Sequence, residues 1–430
     1  MSCLTVHPAA GLRGHLRVPG DKSISHRTLL LGALADGTSE VHGFLPSGDC
    51  LATLGCIRAL GVTVDRQGET DLLIHGRGLH GLQTPVAALD CVRSGTSMRL
   101  LSGILAGQTF DSVLTGDPQL LRRPMRRIAD PLRLMGAEID DVEGHAPLAI
   151  HGTPLQGMTH PLAIASAQVK SALLLAGLYA EGTTVVVQPG PARDHTERML
   201  GAMGARLDTE GLTVTLQPSA CLAPLALTVP GDISSAAFPL VAALLVPGSE
   251  VTLAGVGLNP TRTGLLDVLH AMGAQVVVAH AHEEGGELAG DITVRASRLR
   301  GTSVGGDTVV RMIDEFPIFA VAATQAEGKT VVRDAAELRV KETDRVATVV
   351  AELQKLGAKI EACPDGFVVE GPARLHGGVV DSHGDHRLGM ALAVAGLVAE
   401  DTVIVEGAER IADSFPGFVG LMRALGAVYD

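Results

Sequence analysis

Tryptophan is absent from this 430-residue chain, and tyrosine (2) and phenylalanine (8) are scarce. The core must therefore be aliphatic, built from Leu, Val, Ile, Ala and Met. Basic residues are in deficit: 34 Lys plus Arg face 47 Asp plus Glu, a net charge of −13. Such a surface as a whole repels nucleic acid and anionic lipid, so any anionic ligand needs a local concentration of Lys and Arg. The cysteines, Cys3, Cys50, Cys56, Cys91, Cys221 and Cys363, show no C-x-x-C spacing. A zinc ribbon or disulfide framework is excluded on that ground, and a reduced, cytoplasmic setting is expected. The opening stretch MSCLTVHPAAGLRGHLR lacks the apolar core of a secretory leader. The long apolar run AAFPLVAALLVPG is too short to span a bilayer and is interrupted by Pro239. The P-loop pattern, a G-x-G-x-x-G after a strand and a G-x-S-x-G elbow are all missing, so nucleotide cofactors are not indicated.

What the chain does have is repetition. A Leu or Met, then Gly, then Ala or Val recurs six times, at Gly61, Gly136, Gly204, Gly273, Gly357 and Gly426. Apolar residues at helical spacing precede each copy, which puts the Gly where a helix C-cap takes a left-handed residue. A β-like stretch such as RLDTEGLTVTL usually follows. Ala/Leu-rich helices followed by a turn and a β-branched strand, as in ALLLAGLYAEGTTVVVQPG, alternate with these segments. The pattern is an α/β fold of six units, each predicted to run strand–helix–strand–strand–helix–strand, with helices inside and sheets outside. At this length two domains are expected. The sixth unit ends early, and the N-terminal segment LTVHPAAGLRGHLRVPGD supplies what it lacks. Domains of 1–19 plus 232–430 and of 20–231 follow, with sites expected in the cleft between them.

The turn VPGD occurs at both crossings, as VPGDKSISHR from Val18 and as VPGDISSAAF from Val229. Only the first carries Lys22, His26 and Arg27. Polar segments mark the starts of other helices: RSGTSMR, SAQVKS, MIDEFP and GDHR. Helix N-termini favour anions, although Ser and Asp there are also ordinary caps. Further cations cluster in LLRRPMRR, in ELRVKETDR and at Arg387. In an acidic protein, separate basic clusters that converge favour a ligand with several negative groups. Asp314, Glu315 and Glu342 lie among them, placed to move protons. His383 and His386 flank Asp385 without a third clear ligand, and no metal is expected.

GDKSISHR, SGTSMRLL, TGDPQLLRRPM, ASAQVKSALLLAG, LRVKETDR and GDHRLGMALAVAG occur in this order and cover the chain. Together they resemble the 5-enolpyruvylshikimate-3-phosphate synthases (3-phosphoshikimate 1-carboxyvinyltransferases) of the enolpyruvyl transferase family. The resemblance implies two domains of three βαββαβ units and transfer of an enolpyruvyl group from phosphoenolpyruvate to the 5-hydroxyl of shikimate 3-phosphate. It implies addition and elimination through a tetrahedral ketal in a monomer, without metal or organic cofactor. By the same resemblance, Lys22, Ser23, Arg27, Ser166, Ala167, Gln168 and Arg193 hold shikimate 3-phosphate. Lys22, Gly95, Arg123, Gln168, Arg345 and Arg387 hold phosphoenolpyruvate, and Asp314, Lys341 and Glu342 are the acid–base residues. Asp314 and Lys341 also touch shikimate 3-phosphate. Domain closure would then exclude water from the ketal. Arg93, Ala167 and Asp413 depart from the better-known branch, which has Asn, Ser and Lys there. The rivals are the UDP-N-acetylglucosamine enolpyruvyl transferases, which use a Cys in the first domain, and a non-catalytic anion-binding protein.

Overall fold

Residues 3–430, as described in a computed structural model, place their strands in five four-stranded sheets and one three-stranded sheet. The third unit shows the pattern. Thr159–Pro161 lies parallel to Thr184–Val187, which pairs antiparallel with Thr213–Leu216, and this strand pairs antiparallel with Leu207–Glu210. The helices Ala167–Gly177 and His195–Ala202 fall on either side of the second strand in sequence. The chain order is thus strand–helix–strand–helix–strand–strand, which corrects the βαββαβ order. The reason is local: Leu207–Glu210 and Thr213–Leu216 are a hairpin turned at Gly211, and such a short hairpin reads along the sequence as one β-like stretch.

One helix per unit is buried at nearly every position, as its Ala- and Leu-rich turns require. These are Lys22–Leu34, Gly95–Ala106, Ala167–Gly177, Ile233–Leu245, Phe316–Thr324 and His386–Leu397. The last two are buried along their whole lengths. The backbones come close enough that a Cβ on Gly103 would lie 2.1 Å from the Ala172 carbonyl oxygen. The part-exposed second helices end at Gly61, Gly136, Gly204, Gly273, Gly357 and Gly426, all with φ between +85° and +105°. The left-handed C-caps fall at all six positions expected of them. Ile233–Leu245, the apolar run containing Pro239, spans about 20 Å at 1.5 Å per residue. No helix among the described residues is long and apolar enough to cross a membrane.

The chain divides into two compact units. One comprises Met1–Pro19, Pro230–His282 and Leu288–Asp430, and the other Gly20–Val229 with Glu283–Glu287. The second break thus falls two residues before the 231/232 crossing read from the repeat. In the first unit, Cys3–Val6 pairs antiparallel with Val403–Glu406, and Arg13–Leu16 pairs parallel with Glu250–Gly257. In the second, Ala226–Thr228 pairs parallel with Thr38–His42 in the equivalent way. The N-terminal strands therefore complete the C-terminal half, each in a different sheet. Both VPGD turns lead straight into a buried helix. Gly20 is required in the first copy, because a Cβ there would meet the Gly43 oxygen at 2.0 Å.

Candidate active site

In the unit that begins at Gly20, Asp21 caps the first buried helix by accepting from the Ile24 N–H at 2.9 Å. Lys22 is thereby fixed as the first helical residue, and its Nζ lies 3.2 Å from Asp49 Oδ2. Arg27, one turn further on, is buried. It donates from Nε to Thr196 Oγ1 (2.7 Å), from Nη2 to Ser171 Oγ (2.8 Å) and from Nη1 to the Ser23 carbonyl (2.9 Å). Burial lowers its pKa to about 10, so the guanidinium stays charged at neutral pH. Arg193 is close enough to oppose that charge.

A chain of hydroxyls links this helix to the next. His26 Nδ1 meets Thr53 Oγ1 (2.7 Å), Thr53 meets Ser97 Oγ (2.5 Å), and Ser97 donates to Ser94 Oγ (2.7 Å). Ser94 caps the helix Gly95–Ala106. Over Gly95 sit two guanidinium groups: a Cβ there would lie 3.1 Å from Arg123 Nη1 and 3.2 Å from Arg99 Nη1. Arg99 donates to Gln168 Oε1 at 2.5 Å, and Gln168 Nε2 donates to Thr96 Oγ1 at 3.0 Å. Gln168 follows Ser166, the cap of its own helix, and the half-buried Ala167. The structure thus groups Gly95, Arg123 and Gln168, and separately Ser23, Arg27 and Arg193. The His26 chain joins the helix that carries Ser23 and Arg27 to the one that Gly95 opens.

His26 is wholly buried, and burial pulls its pKa from 6.5 to about 3. It is neutral when folded, while the unfolded chain binds a proton below pH 6.5, so its stabilising effect is complete above 6.5 and is lost as pH falls. Going from pH 8 to pH 5 should cost about 2 kcal/mol through this group alone, at ~1.36 kcal/mol for each pH unit below 6.5. Urea unfolding of His26→Gln should show a pH dependence weaker by that amount. Parallel pH profiles for the two proteins would remove His26 as the cause.

In the other unit the charges concentrate further. Arg345 is 1% exposed and opens the helix Arg345–Lys355. Its Nε donates to Asp385 Oδ2 (2.7 Å), and its Nη2 donates to Glu342 Oε2 (2.7 Å) and Asp385 Oδ1 (3.3 Å). Nη1 lies 3.5 Å from Asp314 Oδ1. Arg387 closes on Asp314 from another side, with Nη2 3.6 Å from Oδ2 and Nη1 donating to the Asp314 carbonyl at 3.4 Å. Burial works against the charge on Arg345, but Asp385, Glu342 and Asp314 outweigh it and raise its pKa. Burial would likewise raise Asp385, which the Arg345 charge holds below the usual carboxylate range. Lys341 Nζ lies 3.8 Å from Glu337 Oε1. Burial lowers its pKa against the pull of Asp314 and Glu337, although a quarter of the side chain remains exposed. Asp314, Lys341, Glu342, Arg345 and Arg387 therefore form one cluster: a carboxylate between two guanidinium groups, beside an amine whose proton is loosened. The chemistry of such a set suits an anionic substrate and proton transfer.

The uncharged VPGD copy has its own cation, brought from a distance. Arg262 Nη2 reaches Asp232 Oδ1 (3.0 Å) and Ser234 Oγ (2.7 Å), and Ser234 donates to Glu315. Glu315 is thus turned inward to a buried network while its neighbour Asp314 faces the arginines.

A family model for EPSP synthase (3-phosphoshikimate 1-carboxyvinyltransferase) matches residues 6–422. The chain belongs to the EPSP synthase family. A 3-phosphoshikimate 1-carboxyvinyltransferase from Geobacter sulfurreducens is 54% identical over 424 residues, covering 98% of this chain and 99% of its own. One from Geobacillus kaustophilus is 53% identical over 420 residues, covering 97% and 98%. The solved EPSP synthase of Acinetobacter baumannii superposes with a TM-score of 0.91 at 45% identity, covering 100% of this chain and 99% of that one. The enolpyruvyl transferase fold is therefore that of the chain.

Within this EPSP synthase family member, Cys91 is fully buried. A hydrogen bond with Cys56, together with burial, drives its thiol well above the ordinary range. That is the opposite of an activated nucleophile and disfavours the cysteine-dependent alternative. Of the departures noted above, Arg93 pairs with Asp117 (2.5 Å) and Asp413 lies 3.9 Å from Arg410. Two features escaped the sequence reading. Asp385, weighed there only as a metal ligand, anchors Arg345. Lys170, quoted within SAQVKS but given no role, forms a buried pair with Glu197 at 2.5 Å and donates to the Ala192 carbonyl beside Arg193. Only the run of polar residues in each segment hinted at either. Among the described residues, no group of three or more His, Cys, Asp or Glu is arranged to hold a metal ion.

Proposed function

We propose that the chain transfers the enolpyruvyl group of phosphoenolpyruvate to the 5-hydroxyl of shikimate 3-phosphate and releases phosphate. The observation that carries this reading is Asp314 held between Arg345 and Arg387 beside Lys341 and Glu342. Lys22, Ser23, Arg27, Ser166, Ala167, Gln168 and Arg193 take shikimate 3-phosphate, with Asp314 and Lys341 at its reacting end. Lys22, Gly95, Arg123, Gln168, Arg345 and Arg387 take phosphoenolpyruvate. Two phosphates and two carboxylates repel one another, and these cations offset that repulsion.

Asp314 accepts the proton of the 5-hydroxyl as its oxygen bonds to C2 of phosphoenolpyruvate. Lys341 and Glu342 deliver a proton to the methylene carbon, giving the tetrahedral ketal. Removal of a proton from the new methyl group then restores the double bond as phosphate departs. The lowered pKa of Lys341 suits it to give and recover a proton, because catalytic groups work best near the operating pH. The enzyme acts in this proposal as a cytoplasmic monomer without a metal or organic cofactor. The test is phosphate release from phosphoenolpyruvate plus shikimate 3-phosphate with no metal added. Turnover with that pair supports the reading. Turnover with UDP-N-acetylglucosamine instead would replace it with the sister activity.

A further inference from the structure

We propose that Glu352 is a positioning residue that shapes the turn from Asp381 to Arg387 and so sets the phosphoenolpyruvate affinity of the enzyme. The inference rests on the assignment of Arg345 and Arg387 to phosphoenolpyruvate made above. Glu352 is 1% exposed, on the helix that Arg345 opens. A carboxylate so placed must have its oxygens occupied. Oε2 accepts from the Asp381 N–H (3.0 Å), Oε1 lies 2.7 Å from His383 Nε2, and Lys355 Nζ donates to both (2.8 and 2.9 Å).

The turn these contacts hold is tight. His383 and Gly384 are both left-handed, at φ +52° and +73°, and the former is uncommon for a residue with a side chain. The His383 N–H donates to Asp381 Oδ1 (2.7 Å), and the Asp385 N–H donates to the Ser382 carbonyl (2.8 Å). At the far end Asp385 caps the helix His386–Leu397, takes the Arg345 guanidinium and precedes Arg387 by two residues. Glu352 lies two helical turns from Arg345, so both project from one face of the same helix. That face grips the turn at its two ends, Arg345 on Asp385 and Glu352 on Asp381 and His383. The spacing along a rigid helix, about 10 Å for seven residues, then fixes where Arg387 stands relative to Arg345. His383, which sequence reading weighed as a metal ligand, is the link in this clamp.

The experiment compares Glu352→Ala, His383→Ala and His383→Gln in steady-state kinetics with both substrates. Misplacing a binding group by an ångström costs up to ~100-fold. Glu352→Ala should raise KM for phosphoenolpyruvate at least about tenfold while KM for shikimate 3-phosphate stays within about twofold. His383→Ala should move KM for phosphoenolpyruvate in the same direction by a smaller factor, and His383→Gln, which keeps a donor, should recover most of it. His383 is 38% exposed, so replacing it disturbs the fold less than replacing the buried Glu352. A wild-type enzyme that turns over, with folded variants whose two KM values are unmoved or rise together, overturns the positioning role alone. A wild type inactive on this substrate pair overturns the functional reading beneath it.

Discussion

Asp314→Asn is expected to lower kcat by about 10²- to 10⁴-fold, the range that general bases contribute. Asparagine keeps the size of the side chain and still turns an oxygen toward Arg345 and Arg387. It cannot take the proton of the attacking hydroxyl. The substitution also removes the negative charge lying 3.5 and 3.6 Å from those guanidinium groups. They then have less competition for an anionic substrate, so KM for phosphoenolpyruvate should stay level or fall. That split, with kcat lost and phosphoenolpyruvate affinity kept, separates proton transfer from substrate binding. Steady-state and single-turnover measurements decide it. Turnover within about threefold of wild type, or a loss seen only in KM, would take Asp314 out of the chemistry.

Arg345→Met is expected to cost about 3–5 kcal/mol of stability, the usual penalty for removing one partner of a buried ion pair. The reason lies in Asp385, which has no exposed surface and takes two hydrogen bonds from this guanidinium. Without Arg345 its charge is stranded. Arg345→Lys should rescue little, because an ammonium cannot serve Asp385, Glu342 and Asp314 at once as the planar fork does. The double variant Arg345→Met/Asp385→Asn should regain part of the stability, since Asp385 no longer carries a stranded charge, but none of the activity. Denaturant unfolding of the single and double variants measures this directly. A loss below about 1 kcal/mol in Arg345→Met would mean that the cluster is solvated like a surface ion pair.

The uncharged turn shows how the sequence divides its information. VPGDISSAAF lacks the cations of VPGDKSISHR, and along the chain it looks like a plain structural copy. In the folded protein Arg262, thirty residues beyond Asp232, fills the vacant charge. Lys22 has a comparable hidden partner in Asp49, and Arg345 in Asp385, forty residues away. Each pair joins segments whose separation in sequence carries no periodic signal.

Local chemistry alone determined the six-fold repeat, the left-handed glycines at the six helix ends, the burial of the Ala/Leu-rich helices and the identity of the charged segments. Those features follow from helical spacing and steric limits that act within a few residues. Tertiary structure decided that Cys91 is an inert buried thiol, that Asp385 holds Arg345, and that Glu352 holds the turn that leads to Arg387. Pairing across dozens of residues is set by which surfaces meet in three dimensions, and no short window of sequence encodes that.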